Sequence, residues 1–288
     1  MRVLLVFCLL LIGCSRRLPE QPTYVLLLPA TNLQWKKEIA EGFSSGAEQF
    51  NMKIELADYQ NDSPQAVKTL PGSKGAPICT VFISKQTAKE AAAQFAEQNK
   101  PLIAIGVDDP NANRLAHVGD EPDNIAYKWN IRAQQSMMPP KKVLLVIGTV
   151  PLSKDRIVAS FFARSDNWTR FELRTRALHQ LSPADKHWAE STVAIGEDAV
   201  AACSDVVRLV PVDGSEITLT LLRSRRVAYA LVPNYFQIGY RAARIAREQF
   251  LQGTIANRAV EIPYKEVVPE TVDWYLRRRT DLPTVGAK

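Results

Sequence analysis

The chain has 288 residues, 46% of them hydrophobic and 23% charged, with a mean hydropathy of −0.13. That composition is globular, sufficient for one large or two medium domains, and beyond the first seventeen residues no apolar stretch is long enough to span a bilayer. The net charge of +6 and pI near 9.1 would suit nucleic acid, but the positive residues are scattered rather than massed, which argues against such a partner. The densest clusters, Arg223-Arg225-Arg226 and Arg277-Arg278-Arg279, read as solvated surface, with an anionic ligand or lipid headgroups as the alternative.

The chain begins MRVLLVFCLLLIGCSRR. Arg2 precedes an apolar run of about ten residues, Val3 to Ile12, which fits a signal-peptide core and falls short of the roughly 20 needed to span a bilayer. Its ending, Leu11-Ile12-Gly13-Cys14, resembles the bacterial lipobox, in which cleavage before the cysteine leaves a thiol that carries lipid. On that reading residues 1–13 are a signal peptide, Cys14 is lipidated, residues 14–23 are a linker, and the rest is an exported domain. The lipid would hold that domain to a bacterial membrane, facing the periplasm or cell exterior. An uncleaved signal anchor is the alternative. Cys8 leaves with the leader, while Cys79 and Cys203 stand in apolar surroundings and read as small buried residues rather than a disulfide or metal ligands.

From Tyr24 the pattern becomes regular. Tyr24 to Leu28 is a continuous apolar run, the mark of a strand covered on both faces. Trp35, Ile39, Phe43, Ala47 and Phe50 then recur at helical spacing. Ile54 to Leu56 predicts a strand, Ser63-Pro64 a helix start, Ile78 to Ile83 a strand, Thr87 to Gln98 a helix and Pro101 to Val107 a strand. The alternation restarts with strands at Ala116–Val118 and Lys142–Ile147 and helices at Asp123–Met137 and Ser153–Ala163. Strands at Phe171–Ala177, Thr192–Ile195, Val206–Val210 and Val227–Val232 complete a second parallel set, with a helix start at Ser182-Pro183. A long amphipathic helix, Gln237 to Leu251, and a strand at Val260–Tyr264 close the pattern. The fold class is therefore α/β, two doubly wound parallel-sheet lobes.

Several segments, in order, are similar to the type I periplasmic binding proteins, and most closely to the ribose/galactose-type sugar-binding branch. Leu28-Pro29-Ala30-Thr31-Asn32-Leu33-Gln34-Trp35 followed by Glu41-Gly42-Phe43 resembles the family's first strand, ligand-facing loop and following helix. Asp58-Tyr59-Gln60-Asn61-Asp62, Lys100 to Asp108, Ala116 to Glu121, Glu197-Asp198-Ala199-Val200-Ala201, Val212-Asp213-Gly214 and Gln237-Ile238-Gly239-Tyr240 match later family segments. The resemblance covers residues 24 to 268. It implies a clamshell joined by a three-segment hinge, crossing near 118–122, 231–235 and 262–266. The N-terminal lobe would be 24–118 plus 235–262, the C-terminal lobe 119–234, and residues 263–288 a hinge strand and tail.

By the same resemblance a small polar solute, a sugar or sugar-like molecule, binds between the lobes, contacted by Asn32, Trp35, Asp108, Arg156, Glu197, Asp213 and Asn234. Four of these have a plainer reading. Trp35 shares a helical stripe with Ile39 and Phe43, Asp108 and Asp213 follow strands where turn aspartates are common, and Glu197 lies in a first helical turn that favours carboxylates. Arg156 is one residue out of register with the family's arginine, and Asn234 stands where a glutamine is usual. Glu121-Pro122 and Glu197 also depart from the pattern, so the ligand need not be an ordinary monosaccharide.

The sequence carries no Gly-x-Ser-x-Gly, His-Glu-x-x-His or Cys-x-x-Cys motif, and Gly148 to Lys154 lacks the second glycine of a phosphate loop. Asn167-Trp168-Thr169 is a weak glycosylation sequon, and no helix-turn-helix pattern precedes the first strand. No catalytic residue, metal or cofactor is expected. The partners expected are the solute, an ABC transporter permease or a membrane sensor, and the membrane through its lipid anchor. The leading reading is a solute-binding protein serving an ABC-type importer. The competing one is a non-transport receptor or structural lipoprotein with a degenerate pocket.

Overall fold

The computed structural model describes residues 22–59, 76–165, 171–253 and 258–280. The lipobox and Cys14, the helix start at Ser63-Pro64 and the sequon at Asn167 lie outside the described residues.

The elements run β1 (Thr23–Pro29), α1 (Gln34–Gln49), β2 (Lys53–Tyr59), β3 (Ile78–Phe82), α2 (Lys85–Glu97), β4 (Leu102–Gly106), β5 (Ala116–Asp120), α3 (Pro122–Gln135), β6 (Lys142–Ile147), α4 (Lys154–Ser165) and β7 (Glu172–Ala177). They continue with α5 (Pro183–Trp188), β8 (Ser191–Ile195), α6 (Glu197–Ala202), β9 (Leu209–Val212), α7 (Glu216–Arg223), β10 (Ala230–Val232), α8 (Tyr235–Gln252), β11 (Arg258–Ile262), β12 (Lys265–Val267) and α9 (Val272–Thr280).

The first sheet has the order β11-β5-β4-β3-β1-β2 and the second β7-β6-β8-β9, parallel throughout. β1 shows why its run is unbroken. Tyr24, Leu26 and Leu28 enter one core and Val25 and Leu27 the core on the opposite face. β6 does the same in the second lobe, with Val143, Leu145 and Ile147 on one side and Leu144 and Val146 on the other.

Two expectations are corrected. The segment Val206–Arg208 is turn, and the strand there is Leu209–Val212. Val227–Val232 does not add a strand to the parallel set, because only Ala230–Val232 is extended and it pairs antiparallel with β12. Helices α7 and α9 and strand β12 were not legible from periodicity; their apolar signal spans only two or three turns or residues.

The chain passes between the two halves three times. β5 leads into α3, whose Ile125 and Trp129 join the second core. β10 leads into α8, which packs on α1, and β11 of the first sheet leads to β12 beside β10. The α1–α8 contact is unusually close. A Cβ on Gly42 would sit 1.9 Å from the Phe236 carbonyl oxygen, and one on Gly239 would sit 2.0 Å from the Ile39 carbonyl oxygen. Both glycines let the helix backbones touch, which explains the glycines in Glu41-Gly42-Phe43 and Gln237-Ile238-Gly239-Tyr240.

Candidate functional site

In each sheet the strand order reverses beside one strand: β1 lies between β2 and β3, and β6 between β7 and β8. The loops leaving the carboxyl ends of two such strands diverge, so a crevice forms there. The loop after β1 carries Thr31 and Asn32 into α1, and the loop after β6 carries Gly148 to Ser153 into α4. These two loops face each other.

The contact between them is direct. Trp35, 2% exposed in the first turn of α1, donates its indole Nε1–H to the Thr149 carbonyl at 3.0 Å. Tyr235, at the start of α8, lies beside the same indole with ring centroids 6.4 Å apart. One residue earlier, the Gln34 backbone N–H donates to the Glu197 carboxylate at 3.1 Å. Gly106, at the end of β4 with φ +83°, lets Pro151 of the second lobe approach; a Cβ there would meet the proline ring carbon at 2.6 Å. The second-lobe loop is held from behind. Asp198 accepts the Thr149 N–H at 3.0 Å and the Ala199 N–H at 2.9 Å, aiming the Thr149 carbonyl at the tryptophan.

The residues expected at the site divide accordingly. Asn32, exposed, and Trp35 and Glu197 lie at the crevice. Asp108 is bound by Arg114, through Nε at 2.5 Å and through Nη2, with His117 Nδ1 4.0 Å away. Arg156 pairs with Asp123 at 3.1 Å and Glu261 at 2.7 Å, tying α3 to β11. Asp213 is buried and accepts the Ser215 N–H at 2.8 Å and the Thr218 hydroxyl at 3.2 Å. Asn234 caps α8 by accepting the Gln237 N–H at 3.2 Å. Sequence reasoning did not single out Thr149 and Pro151 as crevice elements, although the strand–loop–helix context of Gly148 to Lys154 pointed there, and it named Asp198 only beside Glu197 in the matched segment.

Beneath the crevice each crossing contributes one buried polar side chain: Asp120 from the end of β5, Tyr235 from the start of α8, and Tyr264 from between β11 and β12. Burial pushes the Asp120 carboxyl well above the ordinary carboxylate range. The Tyr264 hydroxyl faces it and partly offsets this, without the geometry of a closed hydrogen bond. Burial raises both tyrosine hydroxyls as well, and Asp120 adds to that shift. Burial therefore favours the neutral form of Asp120 over a wider pH range than an exposed carboxylate would show.

Among the described residues no group of three His, Cys, Asp or Glu is placed to hold a metal ion, and no helix is long and apolar enough to cross a membrane. Cys79 and Cys203 are free and buried, and burial raises both thiols, that of Cys203 to about 11.

No protein-family model matches the sequence, and no curated protein matches it. Solved structures do. GanP, a glucose-galactose binding protein from Geobacillus stearothermophilus, superposes with a TM-score of 0.74 over 87% of this chain and 98% of that one, at 14% identity. The periplasmic ribose ABC transporter structure from Conexibacter woesei matches with a TM-score of 0.70, covering 89% of this chain and 95% of that one at 15% identity. XylFII in its complex with LytSN matches at 0.66, covering 88% and 99% of the two chains at 16% identity. These likenesses establish the fold, which is that of the type I periplasmic binding proteins.

Proposed function

We propose that the protein binds a small polar, sugar-like solute between its lobes and acts as a binding protein rather than an enzyme. The observation that carries this reading is the meeting of the two switch-point loops, with Trp35 and Thr149 at their centre. An indole offers an apolar face to a sugar ring, while Asn32 and Glu197 offer hydrogen-bonding edges to hydroxyls. In the conformation described, the Trp35 indole and the Glu197 carboxylate bond across the crevice to the protein itself. A ligand would therefore exchange with the Trp35–Thr149 and Gln34–Glu197 contacts, and closing around it would shift an open–closed equilibrium. Asp108, Arg156, Asp213 and Asn234 would shape the crevice and hinge through Arg114, Glu261, Ser215 and Gln237.

We further propose export and attachment to a membrane through a lipid on Cys14, with delivery of the solute to an ABC-type importer. A second reading is a receptor for a membrane sensor. The polar groups already engaged internally at Asp108, Asp213 and Asn234 favour it, and XylFII is a neighbour of the same fold that occurs in a complex. The test is a thermal-shift screen against aldoses, polyols and nucleosides, repeated with Glu197→Gln. A rise in Tm for one class, weakened in the variant, supports binding in the crevice. A flat response from well-folded protein rejects it and leaves the receptor reading. Palmitate labelling that disappears in Cys14→Ser tests the anchor.

A further inference from the structure

At the opposite pole of the second lobe, the amino ends of β8 and β9 and the last turn of α3 border an open surface pocket of about 560 Å³. β8 spans five residues, roughly 15 Å, so this pocket is a different place from the crevice at the strands' carboxyl ends. Four arginines line it: Arg132, Arg208, Arg225 and Arg226, with Ser191 and Tyr229 between them and no Asp or Glu in the lining.

The guanidinium groups are exposed to solvent and only partly engaged by other protein groups. Arg132 lies 5.6 Å from the centre of the Tyr229 ring and pairs with Glu266, and the outer Arg225 pairs with Glu270 at 3.2 Å. Arg208 donates to the Met138 carbonyl at 3.3 Å and Arg226 to the Ser204 carbonyl at 2.8 Å. Among the described residues neither of these two forms an ion pair. Asp205, which faces Arg226, is itself paired with Lys186 at 2.9 Å. Each guanidinium has five donors and prefers two parallel bonds to one anionic group.

The backbone makes the placement informative. Four non-glycine residues among those described have positive φ: Asn51, Asn99, Arg208 at 56° and Arg225 at 55°. Asparagine adopts this left-handed region readily, whereas a long side chain without local hydrogen bonding does so at a cost, and glycine is the ordinary occupant. Two of the pocket's four arginines stand where folding alone would favour glycine. Strain kept at a site is a pointer to function.

We propose that this pocket is a second binding site, for a small polyanion of the phosphate class carrying at least two negative charges. The proposal does not depend on what occupies the crevice. Arg208 and Arg226 supply the uncommitted donors, and Arg132 and Arg225 exchange or share their glutamates with the ligand. The phosphate can belong to a soluble compound or to a lipid headgroup.

The test uses the full-length protein and its Arg208→Gly/Arg225→Gly double variant, with pyrophosphate as probe at fixed ionic strength. Glycine relieves the left-handed positions, so the variant is expected to melt at or above the wild-type temperature while its pyrophosphate affinity falls at least tenfold. A charge-matched control, Lys37→Ala/Lys89→Ala on the exposed surface of the first lobe, should bind as wild type does. Equal loss in both variants, or no binding of pyrophosphate or of vesicles by wild type, overturns the proposal. Binding to phosphatidylglycerol vesicles but not phosphatidylcholine ones, without pyrophosphate binding and lost in the glycine variant, assigns the site to a lipid phosphate. Pyrophosphate binding assigns it to a soluble ligand.

Discussion

The indole of Trp35 and the carbonyl of Thr149 are 114 residues apart in sequence and 3.0 Å apart across the two lobes. They join the two points at which strand order reverses, so the bond closes the crevice at the place where the topology opens it. Tyr235 and Asp198 hold its two ends in position.

Trp35→Phe keeps a ring in the crevice and removes the donor. A net hydrogen bond of about 1 kcal/mol is lost, enough to shift a lobe-closure equilibrium roughly fivefold toward the open form. Small-angle scattering of unliganded protein should show a larger radius of gyration. An unchanged radius would mean that other contacts hold the lobes closed.

Asp198→Ala removes the carboxylate that organises the loop after β6. It strands the Thr149 N–H in a half-buried position, at an expected cost of about 1–3 kcal/mol in urea unfolding. Any affinity for a crevice ligand should fall too, because the Thr149 carbonyl loses its aim. Loss of stability without loss of ligand affinity would separate the loop from the site.

Asp120 predicts a pH dependence with a definite sign. Its folded-state pKa is raised above the ordinary value of 3.8, so below that value both states are protonated and nothing is lost. As pH climbs past it, the unfolded chain releases a proton that the folded hinge retains, and stability declines by up to about 1.4 kcal/mol per pH unit until the folded carboxyl ionises. Asp120→Asn should flatten that slope, matching wild type near pH 4 and exceeding it at pH 7 in urea titrations. Wild type more stable than the variant at pH 7 would mean an ionised, stabilising Asp120.

Gly42→Ala forces a methyl group into the Phe236 carbonyl across the α1–α8 contact. Overpacking of this kind costs about 1–3 kcal/mol, and more where backbone rather than a side chain must move. Thermal unfolding should show the loss, despite the higher helix propensity of alanine. A gain in Tm would show that the two helices separate easily.

The alternation of apolar runs with helical stripes was enough to read two doubly wound lobes, because strands covered on both faces and amphipathic helices leave local, periodic signals. Trp35, read as following the first strand, and Glu197, read at a helix start, both lie at the crevice. Their partners were not legible. Thr149 acts through a backbone carbonyl, which no side-chain pattern records, and Asp198 acts by holding that backbone. The plainer reading of Asp213 as a turn residue agrees with its bond to the Ser215 N–H, whereas Asp108 is instead ion-paired with Arg114 and Asn234 caps α8, contacts that depend on Arg114 and Gln237 being brought within reach. The short strand Ala230–Val232 carries no mark of its direction, and it lies antiparallel because β12 returns beside it. Local periodicity specifies which faces are buried. Which loop meets which loop is set by strand order and by three crossings of the hinge, and those depend on contacts more than a hundred residues apart.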